Sequence, residues 1–168
     1  AVREIMIFLH SQGISASQAM RIYKQYGDDA VAIVKKNPYR LAADVWGIGF
    51  KSADEIAVHM GIPLDSEVRA RAGIIYALDT LTEEGHCFCP KPELVDIAER
   101  LLEIPAEKLE QALLAEIHEG TLVNENDNIY PARLYHSETE TVSHIHRLFI
   151  TPTRFKPVLA DKAVQWAG

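Results

Sequence analysis

Two ten-residue stretches of this chain match each other without a gap. The first covers residues 13–22, GISASQAMRI, and the second covers residues 47–56, GIGFKSADEI. A further glycine closes each stretch at the same distance, at Gly27 and Gly61. A Gly-Ile turn followed by apolar residues at helical spacing indicates two short helices joined by a tight turn. The duplication therefore predicts a pair of helical hairpins.

The second turn has the composition of a phosphate-binding loop. Gly47 and Gly49 lack the Cβ atoms that would keep a phosphate away from the outward-pointing N–H groups at a helix start. Lys51 and Ser52 can add a charge and a hydroxyl group to the same anion, while Ile48 anchors the turn between its helices. Two such hairpins predict a clamp on the phosphates of duplex DNA that does not read the base sequence.

The first turn departs from this composition. It keeps Gly13, but Ser15 replaces the second glycine and Ser17 replaces the lysine. Ser15 narrows the approach of a phosphate, and Ser17 brings no charge. We therefore expect Gly13, Ser15 and Ser17 to form the weaker phosphate site, or a turn that is mainly structural.

The charges of the chain favour DNA contacts in its first half. The formal net charge is −7. Residues 1–75 hold nine Lys/Arg and eight Asp/Glu, a balance of +1, whereas residues 76–168 hold eight and sixteen, a balance of −8. Even the first half has a weak field, so binding would depend on local phosphate contacts.

Composition excludes several classes of protein. No apolar run approaches the about 18 residues of a membrane helix, and no signal peptide is visible. Cys87 and Cys89 are expected to be reduced thiols in a short buried strand, because two thiols alone do not form a structural zinc site. Such low cysteine content predicts a cytoplasmic protein. The chain begins at Ala1 in a helical pattern without a methionine, so we expect a piece of a longer protein.

The sequence predicts a mainly α fold in three parts. Residues 1–64 form a tandem helix-hairpin-helix domain, and residues 65–132 form a winged-helix-like domain that ends in a small β-hairpin. Residues 133–168 form a helix and a linker. Within the first part, Trp46 is expected to be a core anchor rather than a platform for a DNA base. Tyr23 and Tyr26 are expected in the core. Arg69 and Arg71 could reach a phosphate, but they are expected on a solvated face.

A protein-interaction role is an alternative for the winged-helix-like part. Its second predicted helix, residues 105–119, carries a single lysine and no arginine, Lys108, against four glutamates: Glu107, Glu110, Glu116 and Glu119. Phosphates would repel such a helix. We therefore expect this part to pack against another domain or a partner protein.

A catalytic role is a more remote alternative. DNA glycosylases with a helix-hairpin-helix place a nucleophilic lysine where Lys51 stands, but they also need an aspartate where this chain has Arg69, although Asp65 is close. The cysteine cluster of many such enzymes cannot form from the two cysteines present. No metal site is expected either, because His144 and His146 are two residues apart and do not converge on a helix.

Several longer runs of the sequence are specific enough to compare with known families. They are residues 2–6, VREIM, 13–15, GIS, 22–27, IYKQYG, 37–41, NPYRL, 44–54, DVWGIGFKSAD, 71–73, RAG, 84–86, EGH, and 129–131, IYP. These runs resemble the N-terminal region of bacterial RecD-like helicases, which are similar to the alpha subunit of exodeoxyribonuclease V, and the resemblance covers nearly the whole chain.

The resemblance implies a superfamily 1 helicase that moves 5′ to 3′ with ATP and Mg²⁺ and acts in DNA recombination and repair. In that family the motor follows this region, so residues 133–168 would lead to it. No Gly-x-x-x-x-Gly-Lys-Ser/Thr loop occurs in this sequence. We therefore expect no cofactor and no catalysis in this piece, with DNA and the helicase domains of the same protein as its partners.

Overall fold

The computed structural model describes residues 2–151 of the chain, and these residues form nine α-helices and three short strands. The first six helices are α1 (Val2–Ser11), α2 (Ala16–Tyr26), α3 (Ala30–Lys36), α4 (Arg40–Asp44), α5 (Phe50–His59) and α6 (Glu67–Glu83). They are followed by β1 (Cys89–Pro90), α7 (Lys91–Leu102), α8 (Ala106–Glu119), β2 (Leu122–Glu125), β3 (Asn128–Pro131) and α9 (Ala132–Ile150). The mainly helical prediction is confirmed.

The two predicted hairpins are present and share one core. The first joins α1 to α2, and the second joins α4 to α5. Each turn has a glycine with a backbone φ of 79°, Gly13 in the first and Gly47 in the second. Residues other than glycine rarely adopt this left-handed conformation. The isoleucine after each glycine, Ile14 or Ile48, is buried in the first hydrophobic cluster. Apolar residues of α1 to α5 complete this cluster: Ile5, Leu9, Ala19, Ile22, Ala30, Val34, Leu41, Val45 and Ile56.

A second hydrophobic cluster joins α5 to the rest of the first 132 residues. Phe50, on another face of α5 from Ile56, packs with its ring stacked on Tyr76 of α6 at 4.7 Å between centroids. The cluster continues through α6, α7, α8 and the strands. Its residues on α6 are Ala70, Ile74, Ala77 and Leu78. The helix that begins at the second turn therefore contributes to both cores.

The three strands form a small antiparallel sheet in the order β1-β3-β2. β2 and β3 form the predicted hairpin, with Glu125 opposite Asn128. Asn126 and Asp127 make the two-residue turn with φ of 53° and 62°, and these residue types tolerate the left-handed conformation that such a turn requires. β1 pairs with β3 through Cys89 and Ile129.

The chain divides into two compact units between Ala132 and Arg133. Residues 1–64 and 65–132 lie in the same unit, and the second hydrophobic cluster spans both ranges. Their assignment to separate domains, the second of them winged-helix-like, stays a prediction. In the second unit, the described residues continue α9 to Ile150. The predicted linker and any helix after it lie outside the described residues.

The two cysteines have different environments, which corrects the expectation that both lie in a buried strand. Cys89 is buried in β1, whereas Cys87 is exposed and precedes that strand. Burial, together with the nearby carboxylate of Glu93, raises the pKa of the Cys89 thiol to about 11.

We expect iodoacetamide at pH 8 to modify Cys87 at least tenfold faster than Cys89 in the folded protein. Burial blocks access, and at this pH the thiolate fraction at a pKa near 11 is on the order of one in a thousand. Mass spectrometry of the alkylated peptides measures both rates. In urea the two rates should become similar, and equal rates in the native protein would contradict the buried position of Cys89.

Candidate nucleic-acid interface

The second turn leaves the start of α5 open to an anion. Gly49 is the N-cap residue of α5 and forms no side-chain capping bond. The first helical bond is the one that the Ala53 N–H donates to the Gly49 carbonyl, at 3.1 Å. The N–H groups of Phe50, Lys51 and Ser52 precede it and have no partner within the helix. Gly49 itself is exposed, so a phosphate can approach these groups at the positive end of the helix dipole.

The predicted polar side chains lie beside these N–H groups. Lys51 is exposed and Ser52 is half-buried. Among the described residues, none forms an ion pair with Lys51, so no carboxylate of the fold competes with a ligand for its ammonium group. Ile48 contributes differently, because its side chain is buried and its N–H donates to the Val45 carbonyl at 3.1 Å. Its role is to hold the turn, not to donate to a phosphate.

The first turn closes the start of α2 with its own side chains. The Ser15 Oγ accepts a hydrogen bond from the Gln18 N–H at 3.3 Å, and the Ser15 N–H donates to the Gln18 Oε1 at 3.1 Å. This reciprocal pair is a capping box, which satisfies N–H groups that would otherwise be free for a ligand. The Ser17 hydroxyl lies 3.3 Å from the Ser15 Oγ. Gly13, Ser15 and Ser17 therefore form a turn that is already capped.

The two hairpins contact each other reciprocally. One of these contacts places Arg21, which the sequence did not single out, beside the second turn. The Arg21 Nη1 on α2 donates to the Trp46 carbonyl at 2.8 Å. A Cβ atom on Gly47 would clash with that guanidinium. In the reciprocal contact, the ring of His59 on α5 lies against Gly13. The helical repeat could have suggested such cross-contacts, but nothing in the sequence distinguishes Arg21 from other arginines.

The prediction that Trp46 is a core anchor is wrong. Its side chain is 88% exposed. The core position is taken by the preceding residue, Val45, which is buried in the first cluster. Tyr23 and Tyr26, by contrast, pack against that cluster while partly buried.

The expectation that Arg69 and Arg71 lie on a solvated face is also wrong. Arg69 is 9% exposed and forms a bidentate pair with Asp54 of α5, at 2.8 Å and 3.1 Å. Arg71 pairs with two glutamates of α8, Glu116 at 2.6 Å and Glu119 at 2.5 Å. Arg71 therefore partly balances the charges of Glu116 and Glu119, two of the four glutamates on the predicted acidic helix. The other two, Glu107 and Glu110, remain exposed and would repel phosphate.

The positions that would have to supply the acid in the glycosylase alternative are engaged elsewhere. The Asp65 carboxylate pairs with the Lys108 ammonium group at 2.5 Å, and this hydrogen bond lowers the pKa of Asp65. Arg69, at the position of the required acid, pairs with Asp54.

Within residues 2–151, no group of three or more histidines, cysteines and carboxylates could hold a metal ion. Across the same residues, no helix has both the length and the apolar character needed to cross a lipid bilayer.

Comparisons with known proteins identify the region that carries both hairpins. Residues 1–88 match the family described as the ATP-dependent RecD2 DNA helicase HHH domain. A relative, the ATP-dependent RecD2 DNA helicase of Deinococcus radiodurans, is 36% identical over 90 residues. The aligned segment is 53% of this chain and 12% of that protein.

Proposed function

Because the chain belongs to the family of the ATP-dependent RecD2 DNA helicase HHH domain, we propose that it binds DNA through phosphates, independently of base sequence. The strong contact is the second turn, where Gly47, Gly49, Lys51 and Ser52 receive one phosphate. The capped first turn, with Gly13, Ser15 and Ser17, is the weaker contact. As part of a longer protein, this region would position DNA for an ATP-driven helicase motor that acts in recombination or repair.

One observation carries this proposal, which is the open start of α5. Its N-terminal N–H groups lack a side-chain cap, the adjoining Gly49 and Lys51 are exposed, and the helix is anchored in two hydrophobic clusters. A rigid set of backbone donors with a lysine beside it suits a phosphate oxygen. Base edges are not read by such donors, so the contact is insensitive to sequence.

Lys51→Ala tests the proposal through the salt dependence of binding. With about 3–4 phosphate contacts, the logarithm of the binding constant of the unaltered chain should fall with the logarithm of salt concentration at a slope near about −3. Loss of Lys51 should weaken binding to all sequences alike and flatten that slope by about one unit. Fluorescence anisotropy with labelled duplexes of two unrelated sequences, between 25 and 200 mM salt (roughly the range over which such slopes are measured), gives both quantities.

Lys36→Ala is the matched control, because Lys36 is also an exposed lysine but lies in the last turn of α3. It removes the same charge without touching the second turn. An unchanged slope for Lys51→Ala, or an equal change for Lys36→Ala, would show that the second turn is not the phosphate site.

A docking role is the second candidate, and it is favoured by the exposed apolar side chains of α9. Val142, Ile145, Leu148 and Phe149 are all exposed on this helix of the second unit. Such a row on a helix needs a partner surface. We propose that α9 packs against the helicase domains of the same protein, where ATP and Mg²⁺ would bind, and that the winged-helix-like part with Glu107 and Glu110 contacts protein rather than DNA.

A further inference from the structure

We infer that Trp46 and Arg21 form a stacking site for an unpaired DNA base at the junction between single-stranded and duplex DNA. This inference rests on the proposed function, since it places the base beside the phosphate that the second turn receives. Trp46 is the most exposed of the large apolar side chains that the structure describes, at 88%. An indole ring left in water at a DNA-facing turn is an available surface for a planar ligand.

The backbone of Trp46 is fixed although its ring is exposed. Val45 on one side and Ile48 two residues later are buried in the first cluster, and Gly47 holds the turn between them with φ of 79°. The Trp46 carbonyl also accepts the hydrogen bond from Arg21. The ring is therefore presented from a fixed point, so little backbone entropy is lost when a ligand stacks on it.

Arg21 lies over one face of the indole ring and adds a charge to the site. Its Cζ lies 5.9 Å from the ring centroid, within the range of a cation–π contact. The guanidinium is held by a second bond, from Nε to the Ser17 carbonyl at 3.3 Å. One face of the ring then remains for a base, and the arginine charge can attract the phosphate attached to it.

The position of Trp46 selects the kind of DNA. Gly49 follows Trp46 by three positions, a span of at most about 10 Å, so the base would lie next to the phosphate bound at the start of α5. Within a duplex, bases are paired and stacked on their neighbours, and their faces are not accessible to the ring. An unpaired nucleotide presents its face, and stacking tolerates any base because every base has a π-face. The ligand is therefore an unpaired nucleotide adjoining a duplex, of any sequence.

The test compares two DNA probes on the full 168-residue chain. One probe is a blunt duplex, and the other is the same duplex with a single-stranded extension whose first unpaired base is 2-aminopurine. We expect the unaltered chain to bind the extended probe more tightly and to quench its 2-aminopurine emission. Trp46→Ala should remove about tenfold of affinity for the extended probe, abolish the quenching, and leave blunt-duplex affinity and its salt slope unchanged.

Two variants and one background sharpen the comparison. Trp46→Phe keeps an aromatic face and should retain part of the preference. Phe149→Ala removes a side chain of similar exposure, 84%, from the second unit and should leave the preference intact. In a Trp166→Phe background, Trp46 is the single tryptophan of the sequence, so its own emission should be quenched by the extended probe and much less by the blunt one.

The outcomes separate this inference from the proposed function. Equal losses of affinity for both probes in Trp46→Ala would overturn the inference, because Trp46 would then contact the bases or the phosphate backbone of the intact duplex. No loss on either probe would overturn it as well. If the unaltered chain bound neither probe, the proposed function would fail and this inference with it. Circular dichroism should show unchanged folding for Trp46→Ala, because the removed side chain is exposed.

Discussion

Replacing Arg69 by alanine is expected to lower the free energy of unfolding by about 3 kcal/mol, the cost of removing one partner of a buried ion pair. The loss leaves the Asp54 carboxylate without its cation and removes two further hydrogen bonds. These run from Arg69 Nη1 to the carbonyl of Leu64 at 2.8 Å and to that of Leu102 at 2.7 Å. Urea unfolding at pH 7, followed by circular dichroism, measures the change.

Arg40→Ala is the control for this result. Arg40 pairs with Asp44 four residues on, at 3.1 Å, but the arginine is exposed, so its loss should change the free energy of unfolding by no more than about 0.5 kcal/mol. Similar losses for the two variants would mean that the Arg69 pair contributes no more than a surface pair does.

The same ion pair gives the stability a defined pH dependence. Burial of the Asp54 carboxyl acts to raise its pKa, but hydrogen bonds from Arg69 and Tyr39 outweigh burial and hold the pKa below its ordinary value of 3.8. The contribution to stability is therefore fully present above the pKa of the unfolded chain, near about 4, and is lost as the pH falls through the lower folded-state pKa. In Arg69→Ala this part of the acid-induced loss should be reduced.

Replacing Gly73 by valine is the second change with a large expected effect, a loss of about 3 kcal/mol in the free energy of unfolding. Gly73 lies buried where α6 meets the end of α7. A Cβ atom there would lie 2.7 Å from Cδ2 of Leu102 and 3.0 Å from its Cγ. These are distances that force the helices apart or drive the leucine from its rotamer.

A double-mutant cycle with Leu102→Ala distinguishes this overpacking from a general loss of stability. Leu102→Ala alone should cost about 3 kcal/mol, because it empties a buried position. In the double variant, the valine would occupy part of that space, so the total loss should be smaller than the sum of the single losses by at least about 1 kcal/mol. Additive losses would refute close packing of Gly73 against Leu102. Urea unfolding of the four proteins supplies the values.

Short-range sequence signals predict the helices and turns well, because the effects of glycines, prolines and apolar spacing extend over only a few residues. Both hairpin turns and the hairpin of β2 and β3 follow from such signals. Burial was harder to infer. The sequence predicts Trp46, which precedes the second turn, as a core anchor, yet the adjacent Val45 fills the core and leaves the indole in solvent.

Long-range pairing lay beyond what the sequence could show. Arg69 and Arg71 stand on one helix two residues apart, and nothing local distinguishes a solvated arginine from a paired one. Their partners, Asp54 and Glu116, come from different helices, 15 and 45 residues away. Only the packing of α5 and α8 on α6 brings these charges together. The same limit hid Arg21, whose place beside Trp46 depends on how one hairpin docks on the other.

Under the proposed function, the capping box at Ser15 would affect the orientation of bound DNA. Two equivalent hairpins would hold a duplex equally well in either direction, because the two antiparallel strands are related by a two-fold axis. The Ser15 side chain accepts a hydrogen bond from one of the N–H groups at the start of α2, that of Gln18, whereas the start of α5 has no side-chain cap. Under the proposed function, one strand would then be held more firmly than the other, and bound DNA would have a preferred direction on the protein. If this region precedes a helicase motor, that preference would also determine which end of the DNA reaches the motor first.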